Sequence, residues 1–242
     1  MAPPFSRRPT AVFLLCLLAV PVAPSNAAAW GDRLVFILAG QSNMSGRGGV
    51  VNNTWDRVVP PQCRPNPSIQ RLSAALQWEE ARDPLHADID AFTVCGVGPG
   101  MSFANAIRGA RRLRGEVGLV PCAVGATKIE QWQKGTQLYE QMVRRARAAA
   151  SWGRLSAVLW YQGESDAVQQ ADAQAYTGRM ERMVQDLRAD LGLPGLPVIQ
   201  VLLATGLGPY VDTVRAAQRA VNSGTLRGLT RGVSPSQVTS YI

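Results

Sequence analysis

Leu34-Val35-Phe36-Ile37-Leu38-Ala39-Gly40-Gln41-Ser42-Asn43-Met44 passes from six consecutive apolar residues straight into a glycine and a polar cluster. An apolar run without alternation describes a strand covered on both faces, as in a parallel sheet between helices. The polar cluster then stands at the carboxyl end of that strand, where α/β sheets place their chemistry. Ser42 is thereby a candidate nucleophile, and a serine needs a neighbouring base, usually histidine, to take its proton. The sequence holds one histidine, His86.

Outward from this stretch, strand-length apolar runs recur at Val117 to Val124, Leu155 to Tyr161 and Val198 to Ala204. Helix-period segments lie between and after them: Met101 to Leu113, Leu138 to Ala149 with Thr136 as N-cap, Ala171 to Leu191, and more weakly Val211 to Val221. The alternation predicts an α/β fold with a central parallel sheet covered by helices on both faces. Val50 to Pro99 interrupts it with frequent proline and glycine and is expected to be a long excursion above the sheet carrying one short strand.

The 242 residues, 46% apolar and 17% charged, suit one compact domain. Arg7 and Arg8 precede the apolar stretch Ala11 to Val22, and the small residues Ser25 to Ala29 follow, the pattern of a secretory signal peptide over residues 1–29. Residues 30–221 are expected to form the domain and 222–242 a poorly ordered tail. The mature protein is expected to be secreted, with no membrane span once the signal is cleaved. Cleavage removes two of the +8 formal charges, so the protein stays basic. The arginines lie on helix-like segments without interleaved aromatics, which argues against nucleic acid; a charged partner of an exported protein would be an acidic polysaccharide.

Of the cysteines outside the signal, Cys63 and Cys95 fall in Pro-rich and Gly-rich loops and are the expected disulfide, while Cys122 sits in an apolar run as a buried thiol. With no C-x-x-C and a single imidazole, no metal site is expected. Asn52-Asn53-Thr54 offers Asn52 as a glycan acceptor.

Three further segments are expected at the rim of Ser42. Trp160-Tyr161-Gln162-Gly163-Glu164-Ser165-Asp166 ends the Leu155 strand; Gln162 is a candidate amide donor to an oxyanion, and Glu164 a candidate for orienting a base or holding a substrate hydroxyl. The glycines of Cys95-Gly96-Val97-Gly98-Pro99-Gly100-Met101 open a helix, which makes the backbone N–H groups at Gly98 and Gly100 candidate oxyanion donors. Gly125-Ala126-Thr127 is the turn after the Val117 strand. Gln41, Asn43, Thr127, Asp166 and His86 complete the set as substrate-contacting or orienting residues.

In order, Ser42, Gly98 to Met101, Gly125 to Thr127 and Trp160 to Asp166 resemble the successive blocks of the SGNH-hydrolase superfamily, in its sialate O-acetylesterase-like branch that includes plant-type carbohydrate esterases. Trp78-Glu79 and Asp83-Pro84-Leu85-His86-Ala87-Asp88-Ile89-Asp90 are similar to that branch as well. The resemblance spans about Arg33 to Gln218. It implies a flavodoxin-like three-layer α/β/α sandwich and cofactor-independent removal of acetyl groups from glycans or cell-wall polysaccharide, with the serine as nucleophile and a C-terminal D-x-x-H as base and orienting acid.

The chain departs from the family pattern in three places. Ala126 stands where the family has the second glycine of Gly-Gly-Thr, and Ser45 creates a second sequon at Asn43. After Gln218 no D-x-x-H follows, which predicts a truncated, impaired esterase, or alternatively a carbohydrate-binding pseudoenzyme with Trp132 or Tyr161 stacking on sugar, or a truncated splice product. Asp83-Pro84-Leu85-His86 has the D-x-x-H spacing but belongs to the upstream block, so His86 is expected to be structural or substrate-contacting rather than the base.

Overall fold

The computed structural model describes residues 33–111, 115–204, 207–223 and 230–233. The signal peptide expected over residues 1–29 lies outside them.

Strand β1, Leu34–Gly40, is buried at all seven positions, as its unbroken apolar run requires. It pairs parallel with β6, Val117–Pro121, on one side and with β7, Arg154–Tyr161, on the other. Beyond β7 lies β8, Val198–Val201, also parallel. On the other flank β4, Ile69–Leu72, joins β6 in parallel, and β5, Trp78–Glu80, closes that edge antiparallel. With β9, Thr230–Val233, beside β8, the sheet order is β5-β4-β6-β1-β7-β8-β9.

Helix α2, Pro99–Arg111, covers one face, its Phe103 meeting Phe36 of β1 edge to face with ring centroids 5.0 Å apart. The opposite face is covered by α3, Gln137–Ala150, and α4, Gln170–Leu191, whose Tyr176 hydroxyl accepts the indole N–H of Trp160 on β7. Helix α5, Val211–Ser223, packs on α4. This is the three-layer α/β/α sandwich expected from the alternation.

The excursion contains more structure than one short strand. Val50–Val51 (β2) and Thr54–Trp55 (β3) form a separate hairpin turned by Asn52 and Asn53 at φ 48° and 58°, with Asn52 exposed. Strands β4 and β5 extend the main sheet. They escape periodicity because the buried stretch Ile69–Leu72 holds Arg71, whose guanidinium is matched by Asp88, Glu79 and the Leu85 carbonyl. Within the expected tail, Thr230–Val233 pairs with β8; the remainder lies outside the described residues.

Thr136 stands at the N-cap position of α3 but does not cap it, since its hydroxyl is donated backward to the carbonyls of Gln131 and Gln133.

The expected Cys63–Cys95 disulfide is not formed: Cys63, Cys95 and Cys122 are all free and buried. The two loops serve different neighbourhoods. Cys63 lies by Ser102 of α2 and Asp83, while the Cys95 sulfur lies 3.6 Å from Arg47 Nη1. Burial raises the Cys63 and Cys122 thiols to about 11. Among the described residues no helix is long and apolar enough to cross a membrane.

Candidate active site

The chain leaves β1 toward β6 on one side and later returns to β7 on the other, so β1 is where the strand order reverses. The crevice at the carboxyl end of such a strand is the ligand site of open α/β sheets. Gly40 makes the exit possible: its φ is 136°, and a Cβ there would stand 2.1 Å from the Tyr161 carbonyl oxygen. Only glycine lets the two backbones close this tightly. Ser42 then opens the short helix α1, Ser42–Ser45, half-buried at the crevice. Its carbonyl accepts the Gly46 N–H at 2.9 Å, and its own N–H, at the first helical position, has no intrahelical acceptor.

Gly125 backs directly onto Ser42. A Cβ built on it would sit 3.7 Å from the Ser42 Cβ and 2.7 Å from Arg47 Nη2, so a side chain there would collide with the guanidinium beneath the site. The Gly125 N–H is donated to Asp90 Oδ2 at 3.1 Å, and the same oxygen accepts Ser45 Oγ at 2.7 Å and Arg47 Nη2 at 2.8 Å. Arg47 also donates to the Gly46 carbonyl and to Thr93 Oγ1. This network ties α1, the Gly125 turn and the loop around Asp90 into one unit. Burial acts to raise the Asp90 carboxyl, and the bonds from Arg47 and Ser45 outweigh it and hold the group below the usual range. Arg47 and Asp90 were not among the expected site residues; the signal available was the acid that ends the upstream block.

A second network joins β1 to β7. Gln41 is fully buried, and its Oε1 accepts Gln162 Nε2 at 3.2 Å and the N–H groups of Gly163 and Ser165 at 3.3 Å each. Gln162 Nε2 also donates to the Thr127 carbonyl at 2.8 Å and to Asp166 Oδ2 at 2.6 Å. With three acceptors for two hydrogens, this amide is spent on structure, so Gln162 is an orienting residue and not the expected oxyanion donor. Thr127 Oγ1 donates to the Val124 carbonyl and accepts Trp132 Nε1. Asp166 accepts the Ile129 N–H; burial lifts its carboxyl to about 6 against the opposing bond from Gln162.

Asn43 Nδ2 donates to Glu164 Oε1 at 2.5 Å, bringing Glu164 beside α1. Glu164 is buried, its other oxygen has no partner, and desolvation raises its pKa. Gln41, Asn43, Thr127, Gln162, Glu164 and Asp166 therefore do converge with Ser42.

The other expectations fall elsewhere. The Gly98 backbone lies against the Asp83 carboxylate, and the side of Gly100 where a Cβ would stand is packed on Leu38 and Leu85 in the core. His86 is buried beside the Leu38 backbone, and desolvation lowers its pKa to about 4, so it is a core imidazole away from the Ser42 hydroxyl. Trp132 is fully buried and Tyr161 nearly so, which removes both as sugar-stacking surfaces. Phe92, by contrast, is 96% exposed on the loop that carries Asp90 and Thr93. Among the described residues no group of three or more His, Cys, Asp or Glu is placed to hold a metal ion.

Residues 32–230 match the family model described as carbohydrate esterase, sialic acid-specific acetylesterase. The chain is 55% identical over 194 residues to the "Probable carbohydrate esterase At4g34215" of Arabidopsis thaliana, a match covering 76% of this chain and 74% of that one. The X-ray structure of the Arabidopsis At4g34215 protein superposes with a TM-score of 0.78 at 51% identity, covering 83% of this chain and 84% of the other. NanS superposes with a TM-score of 0.65 at 19% identity, covering 84% and 77%, a likeness of fold.

Proposed function

The chain belongs to the carbohydrate esterase, sialic acid-specific acetylesterase family, and from that premise we propose that it is a serine O-acetylesterase acting on acetylated carbohydrate, with Ser42 as nucleophile. The observation that carries this reading is the position of Ser42 at the switch point of the sheet, with Gly125 set close against it. Ser42 Oγ attacks the acetyl carbonyl carbon, the sugar oxygen departs with a proton, and water then cleaves the acetyl-serine to acetate and free serine. Charge on the tetrahedral oxygen is met by the Ser42 N–H and the second Asn43 amide hydrogen, two donors on α1 that the two networks do not engage. Phe92 offers an exposed ring for the sugar face on the loop that carries Asp90.

No imidazole stands at Ser42: His86, the single histidine of the 242 residues, is enclosed in the core. General-base assistance is worth about 10²–10⁴-fold, so these 242 residues alone turn over slowly by that factor. Added imidazole supplies the missing acceptor. With an aryl acetate as probe, imidazole is expected to accelerate acetate release by the parent chain well beyond its effect on Ser42→Ala. Equal rates for parent and variant at every imidazole concentration would remove Ser42 as the nucleophile.

The same proposal has the protein exported with residues 1–29 removed and Asn52 glycosylated. The intact mass of material collected from a secreting host reads both: retained signal mass or an unmodified Asn52 peptide rejects the corresponding part.

A further inference from the structure

A second cleft opens at the same carboxyl edge of the sheet, beyond the ends of β4 and β6, with a volume of about 210 Å³. Ile89 lines the cleft, and the next residue, Asp90, accepts the N–H of Gly125, which lies against Ser42, so a single loop connects the two openings. The volume of the cleft is below the roughly 300–1,000 Å³ typical of drug-sized sites, which suits a single monosaccharide unit. Leu76 and Ile89 provide apolar walls, Asp88 an acidic one, and Gln141, Arg144 and Arg145 of α3 face them.

The charges of this cleft do not cancel. Arg145 is 7% exposed, and its guanidinium donates to the carbonyls of Pro121 at 2.8 Å, Ser73 at 2.9 Å and Leu72 at 2.6 Å. Carbonyl dipoles hold the group but leave its unit charge, and among the described residues no carboxylate pairs with it. Arg144 is exposed and has no ion-pair partner among the described residues. The acid in the cleft, Asp88, is already gripped by both Arg71 terminal nitrogens, at 2.8 and 2.9 Å, and by the Ala74 N–H. The opening therefore presents a free guanidinium over a buried, uncompensated one.

We propose that this cleft is a subsite for a carboxylate-bearing sugar unit adjoining the acetylated one, with Arg144 as the carboxylate ligand and Arg145 supplying the field behind it. A planar guanidinium matches a carboxylate in bidentate fashion, and the apolar walls and Gln141 accept a ring face and its hydroxyls. The inference rests on the esterase reading of Ser42, whose substrate class it narrows to acidic glycans.

The test separates binding from turnover. Unacetylated oligogalacturonate and a neutral xylo-oligosaccharide are titrated calorimetrically into the parent chain, Arg144→Gln, and Arg154→Gln, which removes the same charge at the opposite end of β7. Acetate release from acetylated galacturonan and acetylated xylan is followed in parallel with imidazole added, for the parent chain and Ser42→Ala. A charge-assisted hydrogen bond is worth enough to predict about tenfold weaker oligogalacturonate binding in Arg144→Gln, with xylo-oligosaccharide binding and the Arg154→Gln titration unchanged. The parent preference for the acidic ligand should also shrink as salt is raised. Oligogalacturonate bound equally by the parent and Arg144→Gln overturns the subsite, even if acetate release is robust. Arg144-dependent binding without any Ser42-dependent acetate release upholds the subsite and overturns the esterase reading.

Discussion

Ala126 holds a left-handed backbone, φ 58°, in the exposed turn behind Ser42, where its Cβ crowds the following carbonyl. Glycine relieves that crowding but gains freedom in the unfolded chain, and the two effects oppose each other. The strain is the larger, so Ala126→Gly is expected to stabilise by about 0.5–1 kcal/mol in denaturant unfolding; a loss of stability would mean the turn is not strained. The sequence made this position legible because a residue type stood where the family pattern has glycine. Gln162 was legible in place but not in role: its acceptors come from Gln41, 121 residues away, and from Thr127, 35 residues away, and no local pattern announces three acceptors converging on one amide. Arg47 and Asp90 stayed hidden for the same reason, a pair separated by 43 residues.

Strands with a single character were readable, and the strand that buries a charge was not. Strand β1 has seven buried positions and no polar side chain, whereas β4 carries Arg71 at 9% exposure within four residues. Arg71 is the fastener of that flank, bonded to Glu79 of β5 at 2.7 Å, to the Leu85 carbonyl at 2.6 Å and to Asp88. Glu79 is 52% exposed and regains water when released, but the Leu85 carbonyl is buried and does not. Removing Arg71 therefore costs far more than removing its surface partner: Arg71→Ala is expected to lose about 3–5 kcal/mol and Glu79→Ala less than about 1 kcal/mol. Comparable losses in chemical denaturation would place the weight on the surface pair instead. The turn from Leu85 to Asp90 hangs from the same guanidinium, so Arg71→Ala should also lower Ser42-dependent acetate release.

Across the molecule, two pairs of buried or partly buried acids have opposite linkage to pH. Asp88 and Asp90 are held below their usual range, so their contribution is present above about pH 4 and fades as pH falls. Asp166 and Asp83 are lifted by burial, to about 6 and about 7, so the folded state binds their protons more tightly than the unfolded chain does. Their contribution is complete below about pH 4 and is lost as pH rises through those values. These four carboxyls together place their maximal contribution near pH 4. Asp83 is the stronger case, because both its carboxylate oxygens are shut off from solvent without a well-formed hydrogen bond. Lifting it from 3.8 to about 7 sets a ceiling of about 4 kcal/mol on the cost of ionising it in the fold. Asp83→Asn keeps the shape and removes the charge. It is expected to leave the unfolding free energy nearly unchanged at pH 4, to raise it by up to that ceiling at pH 8, and to flatten the parent's decline between pH 5 and 8. A variant that unfolds in parallel with the parent across this range would show Asp83 ionised and accommodated in the folded chain.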